Sequence, residues 1–120
     1  SMRKLLSIAC GVCVLGLISS AAFSLRISVA PSTLVLSSGG GMLTVHTNVR
    51  YADAEKVQLE VDGTGVPART FGDDRGFLVA QCRKKAAAAA IGDFNGNMTT
   101  AVVMLTVDGN SASSVIRVRK

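Results

Sequence analysis

The feature that most constrains this chain is an apolar–polar alternation at every second residue, repeated in short runs from Leu25 to the C-terminal end. In "LRISVA" Leu25, Ile27 and Val29 share one face, with Arg26 and Ser28 on the other. "MLTVHTNV" places Leu43, Val45, Thr47 and Val49 together, opposite Thr44, His46 and Asn48. "KVQLEV" sets Val57, Leu59 and Val61 against Gln58 and Glu60. Leu34 with Leu36, Leu78 with Ala80 and Cys82, and Ile116 with Val118 continue the pattern, and "TAVVMLTV" reads as a long apolar strand buried on at least one side. A period of two is the geometry of an extended strand with one face turned to a core. It predicts a core that includes Leu43, Val45, Val57, Leu59, Val61, Leu78, Ala80, Cys82, Val103 and Leu105.

Turn chemistry cuts these runs apart. Gly39 to Gly41, "DGTG" (Asp62 to Gly65), "DDRG" (Asp73 to Gly76) and "DGNSAS" after Val107 are the punctuation expected between strands. Pro31 closes the first run, and Pro67 confines "VPARTF" to a sheet edge, because proline has no N–H for a ladder. The spacing predicts an all-β fold: an antiparallel β-sandwich of seven or eight short strands over residues 25–120. Only "KKAAAAAIGDF" breaks the period. Alanine favours a helix, yet Ala86 to Ala90 is too short a run to be stable alone, so a short helix or an irregular crossover between two sheets is expected there.

Residues 1–24 read differently. Ser1 precedes Met2 and is set aside as an added residue. Arg3 and Lys4, then the uncharged run Leu5 to Ile18, then the small residues of "SSAAFS", give the order of an export signal with cleavage after Ser24 or Ala22. The alternative is a retained membrane anchor, since the run approaches the lower length for spanning. Either reading sends the remaining domain to the periplasm, the cell surface or the exterior. Cys10 and Cys13 form a CxxC inside the apolar run and leave with it, and Cys82 is then the single thiol of the domain. One thiol cannot staple a fold, so stability must come from burial.

The segments "SVAPSTLVLSSGGGMLTVHTNV", "VQLEVDGTGVPA", "DDRGFLVAQC" and "VVMLTVDGNSASSVIRV" resemble the successive strands of bacterial immunoglobulin-like and fibronectin III-like β-sandwich modules of secreted proteins. The resemblance covers most of residues 25–120 and implies an immunoglobulin-like sandwich used for binding or as a spacer, with no catalytic residues. The antibody pattern of two cysteines around a core tryptophan is absent, because the chain has no Trp and only Cys82 in the domain.

The inventory argues against catalysis. His46 is the only histidine, and alternation puts it on the polar face of its strand while Cys82 faces inward. That separates the one base from the one thiol, and a lone histidine cannot build a zinc site of histidines. "SSGGGM" has no strand–helix context for phosphate binding. Asp73 and Asp74 are adjacent and diverge at a turn, which does not suit a carboxylate pair.

One stretch has metal-ligand spacing: Asp93, Asn95 and Asn97 in "GDFNGN" match the first three alternate ligands of a calcium loop. A closing acid is missing, since Thr99, Thr100 and Ala101 stand where it would fall. Asn95-Gly96 is also a turn dipeptide. A turn, with at most a millimolar calcium site, is the expectation, and no other cofactor is expected. Asn97-Met98-Thr99 fits a glycosylation sequon.

With 13 basic and 8 acidic residues the chain carries +5, and losing Arg3 and Lys4 leaves a mild positive excess. Nucleic-acid surfaces pair basic residues with exposed aromatics, and one Tyr, four Phe and no Trp do not supply them. The basic clusters Arg83-Lys84-Lys85 and Arg117-Arg119-Lys120 are expected to be solvated charge, with attraction to an anionic cell surface or polysaccharide as the alternative. The expected function is therefore an exported, non-catalytic binding or structural module whose partner is a protein or a cell-surface polysaccharide. The alternative is a calcium-linked or carbohydrate-binding adhesion module, for which Tyr51 is the aromatic with a polar handle.

Overall fold

The computed structural model describes residues 24–120. The segment expected to be an export signal, except for Ser24, lies outside them. Among the described residues nine strands form: β1 (Ile27–Ala30), β2 (Thr33–Val35), β3 (Met42–Arg50), β4 (Val57–Val61), β5 (Thr64–Val66), β6 (Arg69–Gly72), β7 (Phe77–Arg83), β8 (Met98–Val107) and β9 (Asn110–Arg119). A helix, α1 (Lys84–Ile91), joins β7 to β8, and a single 3₁₀ turn over Tyr51–Asp53 joins β3 to β4. The strands pair into two sheets, β1-β3-β7-β6 and β2-β9-β8-β4-β5, packed as an all-β sandwich.

Two findings correct the expected strand list. "VPARTF" is not one edge strand. Its valine ends β5 at the edge of the five-stranded sheet, and the chain then crosses at Pro67 and Ala68 to become β6, the edge of the other sheet. That crossing brings the count to nine. The pairing is also not wholly antiparallel, because β2 runs parallel to β9, with Leu34 opposite Val118. The expected turn "DGNSAS" shrinks to Asp108-Gly109, and β9 begins at once with Asn110 opposite Val107. Asp108 and Gly109 have φ of 49° and 90°, both left-handed. A two-residue hairpin needs that pair of conformations to match strand twist, and Asp-Gly supplies them. Asp62-Gly63 repeats the device between β4 and β5, with φ of 50° and 81°.

The alternation delivers its core. Leu43, Val45, Leu59, Val61, Leu78, Ala80, Cys82, Val103 and Leu105 are all buried, and Val57 is half-buried against them. Leu34, Ala87, Ala101, Val107, Ile116 and Val118 complete the same cluster. Each buried leucine or valine removes enough apolar surface from water to contribute about 1.5–3 kcal/mol, before the entropy of ordering it is subtracted. Val79 is an exception to the period: it lies on the outer face, in register with His46 and Phe71, and is nevertheless buried.

The helix is longer than the alanine run. It takes in Lys84 and Lys85 and turns Ala87 into the core at 0% exposure. It packs on β5, β7, β3 and β4, and so lies across the opening between the two sheets. An eight-residue helix would be marginal in water. Here the burial of its alanine face holds it.

Candidate ligand groove at the helical end

The helix and the β5–β6 crossing face one another, and between them lies an open groove of about 800 Å³. Met42 at the start of β3, Pro67 and Ala68 in the crossing, and Ala86 and Ala89 on α1 make its apolar surface. Cys82 and Gln81 of β7 contribute to the floor. Its charged residues are Arg69, Arg83 and Lys85, and no acid lines it among the described residues. A second recess, of about 610 Å³, adjoins it on the far side of the helix N-terminus and shares Met42, Arg83 and Lys85.

The cations around the groove have different employment. Lys84 is structural: its ammonium donates to the Val35 carbonyl (2.8 Å), the Ser38 carbonyl and the Ser38 hydroxyl (2.6 Å), tying the glycine loop to the helix. Arg69 donates to the Gln81 side chain (3.1 Å) and sits 5.3 Å over the Phe71 ring. Arg83 and Lys85 are exposed, and neither donates a side-chain hydrogen bond to another described residue.

The first turn of α1 sharpens this asymmetry. Its N-cap is Arg83, no side chain caps it, and no acid stands in the first turn. Helix starts favour an acceptor side chain and negative charge, because unpaired N–H groups and the helix dipole leave them positive. Arg83, Lys84 and Lys85 add three cations to that positive end. Locally the arrangement is unfavourable, and an anion seated there would relieve it.

Cys82 is 2% exposed, and burial pushes its thiol above the usual range. It is therefore a protonated part of the floor and a poor nucleophile. Its inward neighbour in register is Leu43, whereas His46 is paired with Val79 on the outer face. The single histidine and the thiol consequently stand on opposite sides of one sheet.

Asp93, Asn95 and Asn97 are exposed in the connector between α1 and β8. Two carbonyls of that connector are already engaged by Lys120: Phe94 O accepts from its ammonium at 2.7 Å, and Asn97 O accepts from its backbone N–H at 3.0 Å. The ammonium also lies 4.8 Å over the Phe94 ring. Among the described residues no three His, Cys, Asp or Glu side chains gather as a metal cluster. Asp108 follows the last residue of β8 while Asn97 precedes its first, a separation of roughly 35 Å along an extended strand. Asp73 and Asp74 stand at the beginning of β7, whose other end leads into the helix. None of these acids approaches Asp93 along its strand.

Asp73 has a turn-building role. It accepts from the backbone N–H of Phe77 (2.9 Å) and of Arg75 (2.8 Å). The Phe77 hydrogen bond above all, with those of Arg75 and the charge of Arg75 and His46, holds its carboxyl below the usual range despite opposing desolvation. Tyr51 is 45% exposed in the 3₁₀ turn, with its ring against Gly72, far along the sheets from the groove.

Sequence reasoning located Arg83 and Lys85 only as a charge cluster and missed the groove. Pro67 and Ala68 meet the helix through the change of sheet, which no local pattern encodes. The available signal was three cations placed directly before an alanine run. No protein-family model matches the chain, and no curated protein matches it in sequence.

Proposed function

We propose that this chain is an exported, non-catalytic binding module of the cell exterior or periplasm, and that its contact site is the groove at the helical end. The observation that carries this reading is the pairing of an apolar concavity with Arg69, Arg83 and Lys85 and no lining acid. Binding sites are typically apolar concavities with a few convergent polar groups. A partner suited to this one brings negative charge and an apolar group together. The groove has no aromatic lining residue, so it favours such a partner over a neutral polysaccharide. Separation of His46 from Cys82 supports a non-catalytic role.

Kinship to immunoglobulin-like modules is part of the same reading. The order β1-β3-β7-β6 facing β9-β8-β4 is the order of the seven strands in constant-type immunoglobulin sandwiches, with β2 and β5 added at the edges. Export rests on the character of residues 1–24. Among the described residues no helix is long and apolar enough to cross a membrane.

A photo-crosslinking residue placed at Ala89, in the groove, and separately at Val115, exposed on the outer face of β9, tests the site in native cells. Capture of a discrete envelope component from Ala89 and not from Val115, by a chain whose measured mass begins after Ser24 or Ala22, is the expected result. Equal capture from both positions, or none from Ala89, overturns it.

A further inference from the structure

We infer that the groove takes a single-chain carboxylate amphipath of the fatty-acid type, with its head at the first turn of α1 and its chain across the alanine face; this rests on the groove being the contact site. Two independent observations meet there. The first is shape and polarity: Ala86, Ala89, Pro67 and Ala68 offer small apolar surfaces on both walls, suited to a narrow flexible chain that needs no aromatic platform. The second is charge: a helix start with no side-chain cap, whose Lys84 N–H is taken by the Gly41 carbonyl at 3.1 Å, carries Arg83 at its N-cap and Lys85 in its first turn, both exposed, with no carboxylate among the described residues that line the groove.

Neither feature alone selects this ligand. A small inorganic anion would leave the apolar walls in water. A neutral chain would leave the cations and the helix dipole uncompensated. A carboxylate on an acyl chain answers both, because charge complementarity fixes which end of the ligand lies at the helix start. Arginine can grip the carboxylate with a bidentate fork, and lysine acts as a second point charge.

The test is an amide chemical-shift titration of the full chain with decanoate below its micelle-forming concentration. Acetate, inorganic phosphate, neutral decyl maltoside and a glutamate-rich peptide serve as comparison probes. Decanoate is expected to shift Arg83, Lys85, Ala86, Ala89 and Ala68 as one saturable set. The double variant Arg83→Gln/Lys85→Gln should weaken it roughly three- to tenfold, the sum of two exposed charge contacts. Ala89→Glu, at an exposed position, should abolish it while leaving the rest of the spectrum in place. Equal binding of decyl maltoside reduces the site to a plain apolar patch and overturns the inference, as does equal binding of acetate or phosphate. A glutamate-rich peptide that shifts the same set while decanoate is silent overturns it in favour of a peptide partner. Shifts centred on the Val102–Val115 face of the outer sheet also overturn it. If decanoate fails while crosslinking from Ala89 succeeds, only the ligand class falls; if both fail, the groove falls as the contact site.

Discussion

At the end of the sandwich where β3 hands over to β4, charge is used on the chain itself. Asp108 accepts from the backbone N–H groups of Glu55 and Lys56 (2.8 Å for Lys56), and its own N–H donates to the Lys56 carbonyl at 2.9 Å. Asp73 does the same for Arg75 and Phe77. At the helical end the charges are mostly cations, and of these Lys84 and Lys120 are bound into the fold by donating to backbone carbonyls. Arg83 and Lys85 stand beside an apolar groove, and among the described residues neither has a side-chain hydrogen-bond partner. The two ends therefore differ in what a charge is for. A carboxylate that accepts backbone N–H groups closes a turn, and removing it should cost stability. A cation left beside a concavity contributes little to folding, and removing it should cost recognition.

The largest stability effect that separates the ends is expected at Asp108. Asp108→Ala removes an acceptor from two backbone N–H groups and puts alanine at φ 49°, for a loss of about 1–3 kcal/mol in urea unfolding. Asp108→Asn keeps both an acceptor and tolerance of that backbone, and should lose less than about 0.5 kcal/mol. Equal losses from the two variants would show that the bond geometry is not what closes this end.

Lys84, bound into the fold at the other end, tests the rule there. Lys84→Met keeps the aliphatic stem but frees the carbonyls of Val35 and Ser38, and should cost about 1 kcal/mol, with faster amide exchange around Gly39 to Gly41. No change in exchange there would show that the helix and the glycine loop are held together by packing alone.

Acid should loosen one end before the other. Asp73 titrates below its unfolded value, so its contribution is present above the usual carboxylate range and is lost as pH falls through its lowered folded pKa. Amide exchange at Arg75 and Phe77 is expected to rise in that window, while Ala87 and Ala88 in α1 stay protected. Simultaneous loosening of both regions would point to global acid unfolding.

The smallest effect is expected at Asp93. Calcium at one millimolar should raise stability by no more than about 0.4 kcal/mol, the value for a millimolar site, and Asp93→Ala should change little. A rise of many degrees in the melting midpoint, abolished by Asp93→Ala, would mean that the connector recruits further ligands and that the Lys120 ammonium yields to the metal.

How much of this was legible in the sequence follows from what each feature depends on. The core residues of β3, β4, β7 and β8 were readable because strand alternation is a local property, and Leu59 and Val103 lie where it puts them. The hairpins at Asp62 and Asp108 were readable because Asp-Gly suits left-handed backbone at both positions. The parallel pairing of β2 was not, since Thr33–Val35 is too short to announce a partner more than eighty positions away. Pro67 signalled an edge but not a change of sheet, and that change assembles the groove. The calcium-like spacing was visible as a pattern, yet the arrival of Lys120 against Phe94 was not, because it depends on the register of β8 with β9.

The contrast between the ends is tested most directly by measuring stability and decanoate affinity together for Arg83→Gln/Lys85→Gln, with Asp108→Ala as the reference. The groove double variant should unfold within about 0.5 kcal/mol of the parent, as exposed substitutions without internal partners do, while binding decanoate several-fold more weakly. Asp108→Ala should show the reverse, a clear loss of stability with unchanged affinity. A groove double variant that loses as much stability as Asp108→Ala would contradict the account, because Arg83 and Lys85 would then be holding the fold together rather than waiting for an anion.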